Sequence, residues 1–353
     1  MKTYKNLFDQ IIEFGNLYRA ASQAKKGKRE TIENLSFHFN LEAELLRLSE
    51  ELSTKRYRPG AYRTFTIFDP KTREISAAPY RDRVVHHALC QIIEPLIDRS
   101  FIFDSYANRV GKGTHKAISR FQYYARRFPY VLKCDIRKFF PSLSRAFMKS
   151  QFRRHIACED TLWLMDLIVD SAPISQGASQ DASKGLPIGN LTSQFWANLY
   201  MNPLDHFMKE ELGVPGYIRY VDDFVLFHPS RVQLRLLLSE VETFVHKMKL
   251  NLHPNKTHIY QTHQGVPFLG FLIFPHYRWV QKARVHRFKR HLKKQLASQV
   301  DQKRLVQGVN SWLGHIRFGQ SYQREMQTFA YLQQKGLNLF RRPSGSWGLV
   351  DQQ

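Results

Sequence analysis

Gly216-Tyr217-Ile218-Arg219-Tyr220-Val221-Asp222-Asp223-Phe224-Val225-Leu226-Phe227 sets two adjacent acids between two short apolar segments. Apolar runs of that length, rich in aromatic and β-branched residues, read as strands that meet at Val221-Asp222-Asp223. Two like charges held together in a half-buried turn are costly. A bound cation would remove the objection.

Upstream, Tyr130-Val131-Leu132-Lys133-Cys134 is a further strand candidate, and Asp135 stands at its end. If the strands are neighbours, the three carboxylates converge. Convergent oxygen donors suit Mg²⁺, or equally Mn²⁺, since both take oxygen ligands. Two such ions about 4 Å apart stabilise the attacking and leaving oxygens of phosphoryl transfer. The bland alternative makes Asp135 a cap for the next turn and the Asp222 pair a hairpin tip, places where Asp is common.

Between these acids lies Gly185-Leu186-Pro187-Ile188-Gly189-Asn190-Leu191-Thr192-Ser193-Gln194, a tight connection leading into a helix. Glycine there permits close approach of the backbone to a base or sugar. An ordinary loop-to-helix junction fits the same residues.

Further out, helical spacing runs through residues 1–57, in Leu7, Ile11, Ile12 and Leu17 and again in Leu41, Leu45, Leu46, Leu48 and Leu52, with Lys25, Lys26, Lys28 and Arg29 as a basic connector between them. Ala61–Phe68 and Arg73–Ala77 read as a basic hairpin around Asp69-Pro70-Lys71. Asp82–Ile97 is helical, Phe101–His115 a loop rich in turn formers, Ser144–Val169 mostly helix and Ser171–Lys184 a polar loop. Leu191–Leu212 and Val232–Met248 are helices, and the chain after Arg284 is helical and very basic. Strands, hairpins and helices alternate in α+β fashion.

The net charge of +23, from 53 Lys and Arg against 30 Asp and Glu, calls for a polyanionic partner, with nucleic acid the natural candidate. No apolar run approaches the roughly 20 residues needed to cross a bilayer, and the start of the chain shows no secretory pattern. Three scattered cysteines exclude a disulfide framework and fit a reducing compartment, so the expected location is the cytoplasm. Only His155 and Cys158 stand at a ligand-like spacing, and zinc would need a second such pair.

The order of these motifs resembles the reverse transcriptases: an acid after a strand, a Gly-rich lead into a helix, then a Tyr-x-Asp-Asp turn. The resemblance covers about residues 57–275. Asn255-Lys256-Thr257 and Phe268-Leu269-Gly270-Phe271 are similar to the family's later basic motif and primer-gripping hairpin. It implies an α+β right-hand polymerase with fingers, a palm of antiparallel sheet plus helices, and a helical thumb. The implied division is a basic helical extension over 1–57, fingers and palm over 58–275, a basic thumb over 276–340 and a tail over 341–353.

On this resemblance Asp135 and Asp222 bind two Mg²⁺ (or Mn²⁺) ions and Asp223 supports them. Phe140 would be the steric gate that excludes a ribose 2′-OH, although Phe139 and Phe140 also read as core aromatics. Arg73 would hold the incoming deoxynucleoside triphosphate, with Lys71 and Arg81 as weaker candidates, each of which also reads as a solvated surface cation. Ile188 and Gly189 would lie beside the nascent pair, Lys256 would be either a surface lysine or the acid that protonates pyrophosphate, and Phe268, Leu269 and Gly270 would grip the primer. Trp312, His315 and Phe318 would either stack on exposed groups of a nucleic-acid duplex or pack a basic amphipathic helix.

One departure is informative: Ile188 stands where Gln usually precedes Gly, and Gln194 where Pro is usual. The variant is similar to the reverse transcriptases of diversity-generating retroelements, as are Pro79-Tyr80-Arg81-Asp82-Arg83-Val84-Val85-His86-His87 and the compact length. That resemblance implies error-prone copying of a template-repeat RNA into cDNA at template adenines, a small basic oligomeric accessory protein, and a bacterial or phage-encoded setting. An ordinary-fidelity group II intron or retron type reverse transcriptase shares the same acids. An RNA-binding maturase or scaffold would use the basic helices alone.

Overall fold

The computed structural model describes residues 3–26, 31–68, 72–173, 183–298, 301–335, 337, 339–343 and 345–349. Lys71, the Asp69-Pro70-Lys71 turn, the end of the first basic connector and most of the 171–184 loop lie outside them.

The amino-terminal helices are α1 (Phe8–Ile12), α2 (Phe14–Lys25), α3 (Ile32–Phe39) and α4 (Leu41–Ser53). Leu17, Ala20, Ala21 and Ala24 make one buried stripe on α2, at the spacing that puts them on a single helix face. That stripe packs on α5 (Tyr80–Ile97). The buried Asn16 amide donates across the contact to the Ala88 carbonyl at 3.0 Å. The helices of residues 1–57 share a compact unit with the segment that carries Asp135, Asp222 and Asp223.

The basic hairpin is β1 (Arg63–Ile67) paired antiparallel with β2 (Arg73–Ala77), with Thr64 opposite Ser76. Then come α6 (Thr114–Ala125), β3 (Tyr130–Asp135), α7 (Phe139–Ser142), α8 (Arg145–His155), α9 (Glu159–Asp170) and α10 (Leu191–His206). The decisive stretch is β4 (Gly216–Tyr220) and β5 (Asp223–His228), followed by α11 (Arg231–Lys247) and β6 (His258–Gln261). These strands form a four-stranded sheet of order β4-β5-β3-β6, so β5 lies beside β3 as the convergence of the acids requires.

The chain divides into two compact units. The first holds Met1–Gly113, Lys133–Val225 and Arg235–His258; the second holds Thr114–Leu132, Leu226–Leu234 and Ile259–Gln353. Each unit draws on three separate segments of the chain, because contacts between distant segments outweigh adjacency along the chain.

In the second unit β7 (Val266–Phe268), β8 (Phe271–Ile273) and β9 (Arg278–Val280) form an antiparallel sheet against α6. The helices α12 (Lys282–Ala297), α13 (Gln302–Ile316) and α14 (Tyr322–Gln334) follow. Among the thumb aromatics, Trp312 stacks on Phe288 at 4.5 Å, and Phe318 stacks on His115 at 4.0 Å with Arg278 over its ring at 3.7 Å. These rings take part in packing and remain partly exposed.

Part of the segment expected as a tail over 341–353 is paired. β10 (Leu339–Arg341) and β11 (Trp347–Leu349) pair antiparallel, and β11 packs on α13. The Asn310 amide donates to the Trp347 carbonyl at 2.9 Å and accepts from its N–H at 2.7 Å. The buried indole donates to Glu325, itself paired with Arg317. A single large ring finding a pocket and a polar partner overrides the turn-rich composition.

Candidate active site

Asp135 closes β3, and its backbone carbonyl accepts from His253 N–H at 2.7 Å, which ties the strand end to the segment before the short turn Pro254–Lys256. That turn delivers Lys256, whose Nζ lies 2.9 Å from Asp135 Oδ1. Asp222 sits at the β4–β5 turn and Asp223 opens β5, with Lys133 Nζ of β3 3.8 Å from Asp223 Oδ1. Burial, then the charges of Asp223 and Asp135, push Asp222 up to about 6, while its own backbone N–H and Lys256 pull it down. The three acids therefore share one field, and two lysines are set into it.

Among the described residues no group of three or more His, Cys, Asp or Glu side chains is drawn together closely enough to hold a metal ion. Like charges in a half-buried place spread apart, and Asp135 and Asp223 each face an ammonium group. The donor chemistry itself suits a hard divalent cation, being oxygen only.

The loop before α10 is tied on both sides. Leu186 N–H donates to the Phe140 carbonyl at 3.0 Å, so the Gly-rich loop and the candidate gate are brought together. Phe140 is half-buried against the edge of Phe139, and Phe139 itself is core. On the other side Ser76 N–H donates to the Ile188 carbonyl at 3.2 Å, docking β2 onto the loop. Gly189 has φ 114°, and a Cβ there would lie 2.9 Å from Ile75 Cγ2. The close approach that requires glycine is thus to the hairpin, where the sequence suggested a base or sugar.

Arg73 opens β2 and is exposed. Arg81 is elsewhere engaged: its guanidinium pairs with Glu51 at 2.6 Å and lies 5.7 Å from the centre of the Tyr57 ring, clamping α4 to α5. Lys71 is not among the described residues.

Phe268, Leu269 and Gly270 form the β7–β8 hairpin of the second unit, with Leu269 at φ 47° and Gly270 at φ 90°. Phe268 is fully buried and stacks on Phe121 at 5.1 Å. A Cβ on Gly270 would collide with the Arg284 guanidinium at 2.1 Å.

Two features escaped the sequence reading. Lys133, on the strand leading to Asp135, counts as a site residue by its place beside Asp223. Arg219 of β4 is fully buried in an ion pair with Asp205 of α10, whose other oxygen accepts from both Arg219 and Tyr217. An arginine within the apolar run Tyr217-Ile218-Arg219-Tyr220 was the available signal, since a charge on a core strand needs a partner.

This mixed helix and sheet architecture, with acids presented from a strand end and from its neighbour's turn, is that of a polymerase. Residues 68–273 match the reverse transcriptase (RNA-dependent DNA polymerase) family, and the chain belongs to it. Protein YkfC of Escherichia coli K12 is 24% identical over 270 residues, covering 65% of this chain and 71% of that protein. A putative COX1/OXI3 intron 2 protein of Saccharomyces cerevisiae is 18% identical over 207 residues, covering 57% of this chain and 23% of that protein. No described helix is long and apolar enough to cross a membrane.

Proposed function

We propose that the chain copies an RNA template into DNA at the cluster of Asp135, Asp222 and Asp223, and that it is the mutagenic enzyme of a diversity-generating retroelement. RNA template and deoxynucleoside triphosphates are the substrates its family implies. The observation that carries the catalytic reading is the placing of Asp135 at the end of β3, beside the strand β5 that Asp223 opens, with Lys256 2.9 Å from Asp135 and Lys133 3.8 Å from Asp223.

Asp135, Asp222 and Asp223 would hold Mg²⁺, or Mn²⁺, which supplies charge neutralisation at the attacking and leaving oxygens. Lys256 is close enough to Asp135 to hold a proton near that site. Phe140, tied to the Gly-rich loop, would bear on the sugar, and Arg73 on the triphosphate.

The mutagenic reading rests on Ile188. An aliphatic side chain in place of an amide removes hydrogen-bonding capacity beside the nascent pair and relaxes discrimination. A small basic accessory protein would support processive synthesis. The similarity to the yeast intron 2 protein favours a second reading, an intron-type reverse transcriptase of ordinary fidelity.

The test is DNA synthesis by the purified chain on a primed RNA template with Mg²⁺, with the product sequenced and Asp222→Ala run alongside. Asp222-dependent product with errors concentrated opposite adenine, reduced by Ile188→Gln, is the expected result. Faithful Asp222-dependent product would select the intron-type reading. Synthesis that survives Asp222→Ala would sink the catalytic assignment.

A further inference from the structure

The turn that presents Asp222 is strained. Val221 has φ 58°, and a β-branched residue in the left-handed region costs about 1–3 kcal/mol unless its surroundings hold it there. What holds it is Arg219. Its Nε and one terminal nitrogen donate to the two oxygens of Asp205 at 2.7 and 2.6 Å. The same terminal nitrogen reaches Ser105 Oγ at 3.0 Å. The other donates to Asn198 Oδ1 at 3.0 Å and to the Val221 carbonyl at 3.1 Å. A guanidinium has five N–H donors in a rigid fork, and these five bonds use all of them.

The partners are fixed in turn. Asn198 and Asp205 are seven residues apart on α10, hence on one face two turns apart. α10 begins directly after Gly189 and Asn190, so one rigid helix joins the substrate-side loop to the clamp. Ser105 belongs to the loop before α6, which runs as an added edge along β4. Arg219 N–H donates to the Asp104 carbonyl and Tyr106 N–H to the Arg219 carbonyl, each at 3.0 Å. The Asn198 amide donates to the Ala107 carbonyl at 2.8 Å. The Arg109–Asp98 pair pins the far end of that loop.

A buried ion pair is a poor way to gain stability alone, since well-packed apolar residues usually do as well. The bond to Val221 gives it another use. The peptide plane that carries the Val221 carbonyl also carries the Asp222 N–H and leads to its Cα. Holding the carbonyl therefore sets the aim of the carboxylate.

We infer that Arg219, oriented by Asp205, Asn198 and Ser105, is a positioning residue that locks the Val221 turn and thereby aims Asp222. This rests on the reading of Asp222 as catalytic. Arg219→Lys keeps the charge but has three donors in place of five. It is expected to lower kcat for nucleotide incorporation 10- to 100-fold, with the KM for deoxynucleotide and the Kd for primed template within twofold of the parent. Adding Val221→Gly, which relieves the left-handed strain, should recover at least threefold of the lost kcat. A residue that served only the stability of the fold would show neither the split nor the rescue.

Asn198→Ala removes one acceptor while leaving the ion pair, and covers the case in which Arg219→Lys does not fold. Its expected effect is a 3- to 10-fold fall in kcat at unchanged KM. Parental kcat in Asn198→Ala, or in a folded Arg219→Lys, would overturn the inference, as would a failure of Val221→Gly to restore anything. Asp222→Ala is measured in parallel, and its full activity would overturn the assignment of Asp222 itself.

Discussion

Replacing Gly189 with alanine tests how the hairpin of β1 and β2 is seated on the loop before α10. The added Cβ would stand 2.9 Å from Ile75 Cγ2, where ordinary contacts run 3.4–4 Å, so β2 must retreat by roughly half an ångström or more. The backbone adds its own cost, because φ of 114° is a region that L side chains rarely adopt. Backbone strain of about 1–3 kcal/mol and overpacking of about 1–3 kcal/mol together give a loss of roughly 2–6 kcal/mol. The Ser76 to Ile188 bond, already 3.2 Å, would lengthen with the retreat. Misplacement on this scale near reacting groups slows chemistry by about 10-fold or more. Urea unfolding and single-nucleotide incorporation would be measured for Gly189→Ala in the parent and in an Ile75→Ala background. The second background removes the clashing methyl, so the added cost of Gly189→Ala should shrink to the backbone part, about 1–3 kcal/mol. An identical cost in both backgrounds, or parental stability and rate in Gly189→Ala alone, would refute the reasoning.

Trp347→Ala should destabilise the second unit by about 3–5 kcal/mol, because the ring is buried and bonded to Glu325; a loss below about 0.5 kcal/mol on thermal unfolding would show that β10 and β11 are dispensable. Burial, then the charges of His87 and Arg83, hold His86 down at about 3 from its ordinary 6.5. The unfolded chain takes up this proton first as pH falls. The contribution is therefore whole above pH 6.5 and is lost toward pH 3, at up to about 1.4 kcal/mol per pH unit. His86→Gln should flatten the dependence of the urea midpoint on pH between 6.5 and 5, and an unchanged slope would remove His86 from the account.

The elements were legible along the chain because their causes are local. Alternating apolar segments around Val221-Asp222-Asp223 become β4 and β5, and the acid-terminated run from Tyr130 becomes β3. The hairpin from Arg63 to Ala77 and the amphipathic runs that form α2, α4 and α5 were readable in the same way. So was the need for something positive near Asp222, since adjacent carboxylates in an apolar setting repel whatever the fold.

Which groups meet was decided by tertiary structure, because it depends on chain segments far apart in sequence. Nothing local distinguishes Arg73, exposed on β2, from Arg81, committed to Glu51, or shows that Gly189 makes room for Ile75. One tryptophan carries little periodicity, so nothing local announces the pairing of Leu339–Arg341 with Trp347–Leu349 or the bond of Trp347 to Asn310. By itself the sequence determined the local conformations and the residues able to carry the chemistry. Only the folded chain could join Asp205 of α10 to Arg219 of β4 and so to the turn before Asp222, because a buried charge takes its meaning from the partner brought to it.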